Sequence, residues 1–254
     1  MNSPAIQEKY DSLDVKVYQD REQMGNAAAE DIVAAIRTLM KTQDTVRIIF
    51  AAAPSQNEVL AALKDASIDW TRVEAFHMDE YIGLAKDAPQ GFANFLKGRL
   101  FDHVQFKSCL LMDFDPNRPE PGIQEYARRV SEAPIDIVCL GIGENGHIAF
   151  NDPENADFHD PEIVKIVQLD DVCRQQQVND GCFAAFDDVP KTAVTLTIPA
   201  LFSGKQLFCV VPTKFKRNAV KTMLTGPVSE ECPASILRKH LHCTLYLEPD
   251  SYYK

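Results

Sequence analysis

The sequence predicts a single α/β domain over residues 1–254, built as an open, mostly parallel, doubly wound (Rossmann-like) sheet with helices on both faces. Three observations predict it. Short apolar, β-branched runs alternate along the chain with segments whose apolar residues recur at helical spacing, the order of successive βαβ units. The runs are continuous rather than alternating, as in strands covered on both faces. No internal repeat, low-complexity tract or Gly/Ser linker divides the chain.

Taken in order, Ala27, Ala28, Ile32, Val33, Ile36 and Leu39 recur at helical spacing and predict an amphipathic helix from Gln23 to Met40. Val46 to Phe50 follows as a short buried strand. Glu58 to Lys64 reads as a helix, Val73 to Phe76 as a strand, and Gly91 to Leu100 and Ile123 to Ser131 as helices. Ile135 to Leu140 is an apolar run of the parallel-sheet kind. A strand at Gln206 to Val211, a helix from Lys214 to Leu224 and a last strand at His242 to Leu247 complete the order.

Composition narrows the class. A chain that is 45% hydrophobic and 25% charged has the balance of a soluble protein with a sizeable core. Its net charge of -11 repels polyanions, which argues against nucleic acid or an anionic membrane as partner. The seven cysteines are odd in number, widely spaced and without a C-x-x-C, the pattern of reduced thiols. Met1 to Asp14 lacks the basic-then-apolar pattern of a signal peptide, and no apolar run reaches the ~18 residues of a membrane span. The expected location is the cytoplasm, and whether copies of the chain associate into a homo-oligomer is left open.

Four segments, Ala51 to Gln56, His77 to Gly83, Gly141 to Asp152 and Pro212 to Arg217, each begin where a predicted strand ends. Ligands of open α/β sheets bind in the crevice outside the carboxyl ends of the strands, so these loops are expected to line one pocket. The third contains Gly141-x-Gly143-x-x-Gly146, the spelling of a dinucleotide fingerprint, but Asn151 and Pro153 oppose the helix that a pyrophosphate site requires. What remains is a turn carrying His147 between Asn145 and Asp152, groups able to fix its tautomer for proton transfer. The second loop places Asp79 and Glu80 side by side after an apolar strand. A carboxylate buried there without a partner shifts its pKa towards the range of a general base, unless one of the two caps the helix that follows. In the fourth, Lys214, Lys216 and Arg217 crowd a helix start, where cations are unhelpful unless an anion sits among them. Ser55 and the backbone amides of the first loop would complete such a site. Cys232, His240, His242 and Cys243 fit no common zinc spacing, and no metal is expected.

These residues resemble the glucosamine-6-phosphate deaminase family. Phe76-His-Met-Asp-Glu-Tyr-Ile-Gly-Leu84 is similar to its F-N-M-D-E-Y-x-G-L signature, and Leu140 to Pro153 to its G-x-G-x-[DN]-G-H-I-[AG]-F-N-E-P block. Val189 to Thr197 and Cys232 to Leu237 resemble two further blocks, and the similarity runs from about Val17 to Ser251. The resemblance implies a cofactor-independent conversion of an amino-sugar phosphate to a ketose phosphate and ammonia. It makes Asp79 the base that moves a proton between C2 and C1, and His147 the residue that opens the pyranose ring. Asp152 orients that histidine, with Asn145 and Glu80 beside them. Lys216, Ser55, Gln56 and Gly146 are the expected substrate- and phosphate-binding residues.

The sequence also departs from the family. The P-T-G-x-T-P phosphate loop is here Ala51-Ala-Ala-Pro-Ser-Gln56, which keeps one hydroxyl and loses the glycines that let amides close around phosphate. The family's phosphate-binding arginine has no clear counterpart, since Arg174 stands a few residues early and Gln175-Gln-Gln177 follows it. Asp152 replaces a glutamate and is one methylene shorter. Glu154 to Phe158 lacks the basic and hydroxyl residues that bind an activator in regulated members, so no such effector is expected. Other readings remain. A 6-phosphogluconolactonase-like hydrolase shares the fold and a G-x-D-G-H turn but needs no C2 base. A sugar-phosphate sensor of the transcription-regulator kind would carry a DNA-binding helix pair, for which the amino-terminal segment is short and not basic, while Asn145, Asp152 and the altered phosphate loop keep a catalytically weak sugar-phosphate-binding protein as a further alternative.

Overall fold

The computed structural model describes residues 3–115 and 117–254. In chain order the strands are β1 (Ile6–Tyr10), β2 (Leu13–Val17), β3 (Val46–Phe50), β4 (Val73–His77), β5 (Asp79–Tyr81), β6 (Ser108–Cys109), β7 (Ile137–Leu140), β8 (Val164–Gln168), β9 (Thr192–Leu196), β10 (Gln206–Val211) and β11 (Cys243–Leu247). The helices are α1 (Arg21–Leu39), α2 (Asn57–Lys64), α3 (Phe92–Leu96), α4 (Glu120–Ser131), α5 (Asp171–Asn179), α6 (Ile198–Phe202) and α7 (Arg217–Thr225). Eight strands form one sheet in the order β1-β2-β11-β10-β7-β3-β4-β6, in which every pair is parallel except β1 with β2.

Continuous apolar runs make this sheet because both its faces are covered, and successive side chains of a strand point to opposite faces. Ile48 and Phe50 of β3 enter one core with Ile32 and Ile36 of α1 and Leu60 of α2. Ile49, between them, enters the other with Tyr126 and Val130 of α4 and Met223 of α7. β7 and β10 divide in the same way, Cys139 and Val210 to the first core and Val138 and Cys209 to the second. The predicted doubly wound sheet is therefore present, and the predicted strands Val46 to Phe50 and Gln206 to Val211 coincide with β3 and β10.

Several elements were not expected. β1 and β2 form an antiparallel hairpin at the sheet edge; β1 is largely exposed, so its sequence carries no apolar run. A second, three-stranded antiparallel sheet, β5-β9-β8, lies outside the parallel one. α5 and α6 were also absent from the sequence reading. The predicted helix Gly91 to Leu100 is α3 continued by a π-helical turn, Lys97–Phe101, and the predicted start of α7 is a separate 3-10 turn, Lys214–Lys216.

Topology places the crevice. From β3 the chain passes through α2 to β4 on one side, whereas from β7 it travels to β10 on the other. β3 and β7 are neighbours, so the loops after them diverge and leave a gap at their carboxyl ends, the switch point of an open α/β sheet. At the end of β4 the backbone is pinned by α4: the Tyr126 hydroxyl donates to the His77 carbonyl at 2.7 Å and accepts from its N–H at 3.0 Å. Both groups are buried, and Tyr126→Phe leaves both without that partner. Urea denaturation of this variant should show a loss of about 1–3 kcal/mol in unfolding free energy with an unchanged m-value.

Candidate active site

The crevice opens into a cleft of about 720 Å³. Its floor is formed by Ala51 to Ser55 after β3 and by Gly141 and Ile142 after β7. Asp79 and Met78 line one wall, His147 and Phe150 another, and Thr213 and Lys216 the end beside β10. All four loops singled out from the sequence contribute to it.

His147 sits in a closed hydrogen-bonded unit. Its Nδ1 lies 2.8 Å from Asp152 Oδ1, and Asp152 is fully buried. Asn145 Nδ2 donates to Asp152 at 3.1 Å and to Asp170 at 3.0 Å, while its Oδ1 accepts the His147 backbone N–H at 3.0 Å. The shorter aspartate therefore reaches the imidazole without help from a longer side chain. Burial opposes ionisation of Asp152, but His147, the Asn145 amide and the Asp170 N–H outweigh it and hold the carboxyl below its usual range. With Nδ1 turned to a carboxylate, Nε2 is the nitrogen left to exchange protons with a ligand. The glycine run serves this geometry: a Cβ on Gly143 would overlap the His147 ring. Gly146 has φ +85°, where a Cβ would also lie 2.7 Å from Cys232 Sγ. No helix starts inside the run, so the turn houses an imidazole and not a pyrophosphate.

Asp79 is the first residue of β5, opposite Thr195 of β9. Its burial, then the neighbouring Glu80 charge, pushes its carboxyl well above the usual range. Glu80 points away from the cleft, as strand alternation requires. Its carboxylate accepts backbone N–H groups from Phe92 at 2.9 Å, Ala93 at 2.8 Å and Tyr81 at 3.0 Å, so it caps α3. The expectation that Glu80 belongs with the catalytic group is corrected to this capping role. His77, where the family signature has asparagine, is wholly buried; burial pushes its imidazole down to about 3, and neutral Nε2 accepts the Met112 N–H at 2.7 Å.

Among the expected ligand-binding residues, Ser55 and Lys216 reach the cleft and two others do not. Gln56 is buried, its amide donating to Ser55 Oγ at 3.1 Å and towards the Leu140 carbonyl at 3.4 Å, so it orients the serine. Gly146 lies behind His147, its carbonyl accepting from Ala234 N–H at 2.8 Å. Asn145 likewise supports His147 and Asp152 without lining the cleft. Of the basic trio, Lys214 is exposed and Arg217 turns to the carbonyls of Asp250 and Pro249. Lys216 is 4% exposed, lines the cleft, and its ammonium has no hydrogen-bond partner among the described residues. Arg174 is not there either: it donates to the carbonyls of Phe186 and Val189 and stacks on the Phe186 ring.

The sequence reading missed Arg21, Thr213, Gln176, Gln177 and Asp180, all of which line the cleft. Three of them come from α5 and its end. The available signal was Asp170, whose Oδ1 accepts the Cys173 N–H at 2.6 Å as an N-cap just before the glutamine run. Cys173 also brings its sulfur within 4.8 Å of ligand atoms of His147 and Asp152. Burial, and then the carboxylates of Asp152 and Asp170, raise this thiol well above its ordinary value, and it is hydrogen-bonded to Asp152. The thiol thereby packs against the His147–Asp152 pair as a neutral neighbour.

Fold and cleft define an open α/β protein that gathers acid–base residues and a buried cation at its switch point. The chain belongs to the glucosamine-6-phosphate isomerase/6-phosphogluconolactonase family, whose description matches residues 19–246. A glucosamine-6-phosphate deaminase of Bacillus cereus (strain B4264) is 32% identical over 216 residues, 85% of this chain and 80% of that protein. One from B. cereus (strain G9842) is 31% identical over 239 residues, 94% of this chain and 87% of the relative. A structure described as a monomeric glucosamine-6-phosphate deaminase superposes with a TM-score of 0.84 at 26% identity, covering 93% of this chain and 98% of that one. The 6-phosphogluconolactonase of Thermotoga maritima gives 0.75 at 19% identity, covering 93% of this chain and 99% of that one, a likeness of fold.

The buried carboxyl of Asp79 has a consequence for stability. Above its ordinary value of 3.8 the unfolded chain loses this proton while the folded chain keeps it, so folding becomes less favourable as pH rises towards the raised folded value. Asp79→Asn has no proton to lose. Urea denaturation across pH 4 to 8 should find the variant increasingly more stable than the wild type as pH rises.

Proposed function

We propose that this protein is a glucosamine-6-phosphate deaminase, converting glucosamine 6-phosphate and water to fructose 6-phosphate and ammonia. The observation that carries the reading is that Asp79 and the His147–Asp152 pair line one cleft together with the unpartnered Lys216. His147 Nε2 takes the proton of the C1 hydroxyl and passes it to the ring oxygen as the bond between C1 and that oxygen breaks, leaving an aldehyde at C1. Asp79 takes the proton from C2; the C–H electron pair forms the C1–C2 double bond and the C1 oxygen takes up a proton, giving an enolamine. The carboxyl of Asp79 returns its proton to C1, the double bond moves to C2 and nitrogen, water adds at C2 and ammonia leaves. C2 is oxidised as C1 is reduced, so the electrons balance within the sugar and the reaction requires no cofactor. A carboxyl whose pKa burial raises suits both transfers, because it is a stronger base than an exposed aspartate and returns the same proton to C1.

Asn145, Asp152 and Glu80 are positioning residues in this scheme, and Ser55 and Lys216 take the phosphate. Lactone hydrolysis has no proton to remove from C2, so a buried carboxyl lining the same cleft as the histidine favours the deaminase over the lactonase. We place the enzyme in amino-sugar metabolism in the cytoplasm, in keeping with seven free cysteines; no helix among the described residues is long and apolar enough to cross a membrane.

An ammonia-release assay with glucosamine 6-phosphate and galactosamine 6-phosphate tests the reading. Wild type should turn over at least one of them, and Asp79→Asn should lower kcat by about 10²- to 10⁴-fold. Equal, negligible release by both proteins rejects deamination. His147→Gln should impair the cyclic substrate more than an open-chain analogue, and equal losses on the two would remove ring opening from His147.

A further inference from the structure

A phosphate dianion needs more than one cation, and the cleft supplies a second from an element outside the four strand-end loops. Arg21, the first residue of α1, lines the same space as Ser55, Thr213 and Lys216, and Arg21 and Lys216 are the only Lys or Arg residues among its walls. The guanidinium is held in place from one side. Nη2 donates to the Pro54 carbonyl at 2.5 Å, and Nε lies 2.9 Å from Glu58 Oε1. Arg21 is thereby fixed against the loop that lacks the family's glycines. Glu58 itself is placed by the close crossing of α1 and α2, where a Cβ on Gly25 would overlap Glu58 Cβ.

The opposite side is prepared in the same sense. Lys216 is a buried ammonium without a partner, and Thr213 Oγ1 is buried and without one too. Thr213 has φ +78°, a conformation unfavourable to a β-branched residue, and is held there by Glu248, which accepts its N–H at 2.7 Å. Strain held at a cleft wall, beside two unsatisfied donors, is what an anion-binding loop needs before its ligand arrives. The carboxylate facing this end is Asp180, whose Oδ2 is 3.4 Å from Gln176 Nε2; its charge favours the protonated form of Lys216 against the burial that opposes it.

We propose that Arg21 is a phosphate ligand of this cleft, binding the substrate's phosphate together with Lys216 and the Ser55 and Thr213 hydroxyls that line the same space. It takes the part for which Arg174 is unsuited, and its fork of N–H donors replaces the backbone amides lost with the loop glycines. The inference rests on the sugar-phosphate reading of the cleft, and inorganic phosphate separates the two.

Inorganic phosphate is titrated by calorimetry into wild type, Arg21→Ala and Arg21→Gln, and into Arg21→Ala combined with Glu58→Gln so that no unpaired carboxylate is left behind. Loss of one charge-assisted contact should weaken phosphate binding by about 10- to 100-fold in all three variants. KM for the sugar phosphate should rise by a similar factor with kcat little changed, the pattern of uniform binding. The glutamine variant keeps the aliphatic stem and guards against a folding defect in the alanine variant, with urea midpoints as the check. Phosphate affinity unchanged in a folded variant, or no phosphate binding by wild type, overturns the role of Arg21. Arg21-dependent phosphate binding without ammonia release would sustain this inference while rejecting the deaminase reading, and turnover with Arg21-independent phosphate binding would do the reverse.

Discussion

Asp79 and His147 leave the large sheet on different strands, and the pairing of β5 with β9 keeps them on one cleft. Thr195 is the joint. It stands opposite Asp79 in the ladder, and its hydroxyl accepts the Phe150 N–H at 3.1 Å, three residues beyond His147. Asn151 adds a second tie, its amide donating to the carbonyls of Leu196 at 2.9 Å and Ile148 at 2.9 Å. The loop after β7 and the strand after β4 are thus fastened to one small antiparallel sheet that takes no part in the main core ladder. Relative placement of acid–base groups has to hold within fractions of an ångström, and a buried ladder holds it better than two loops would.

The same ladder explains how two adjacent carboxylates are accommodated. Burying an ionised carboxylate without a partner costs several kcal/mol, and burying two on one face would add their repulsion. Alternation along β5 sends Asp79 into the cleft wall and Glu80 to the other side, where three backbone N–H groups at the start of α3 receive it. Burial raises both carboxyls, but at Glu80 the three N–H donors work against it, whereas Asp79 has no such donors and is raised well above its ordinary value. The base is therefore made by the strand period and by the cap its neighbour supplies.

Those two facts mark the boundary of what the sequence could tell. β3, β7 and β10 were legible because both their faces are buried, which writes a run of apolar residues into the chain. β5 was not, since three residues reading Asp-Glu-Tyr look like a loop until a partner strand is known. β1 hides behind exposed polar side chains, and α5 carries buried glutamines and an arginine where an amphipathic pattern would show apolar residues. That Asp79 and His147 share a cleft, and that Asp152 faces the histidine, is legible because local motif and strand-end position coincide there. Whether Lys214, Lys216 or Arg217 enters the cleft depended on the 3-10 turn before α7, and nothing near Arg21 in the sequence ties it to a loop more than thirty residues away. For Glu80 the sequence leaves a place beside the base and a helix cap both open, and the N–H groups of Phe92 and Ala93 decide for the cap.

The two ends of the cleft are opposite electrostatic problems that one ligand solves. Lys216 is buried, which lowers its affinity for a proton, and Asp79 is buried, which raises its own. Burial thus works against the charged form of each, and at the lysine the Asp180 charge works the other way. A phosphorylated amino sugar brings a dianion to the lysine and an ammonium towards the carboxyl, and each favours the charged form of the group it meets. Ionisation of Asp79, needed for removal of the C2 proton, is thus coupled to occupancy by a ligand carrying charge at both ends. A neutral lactone ring with the same phosphate would bring charge to the lysine and none to the carboxyl. Selectivity between the two reactions found in this family then follows from which charges the bound molecule carries, as well as from which bonds it offers.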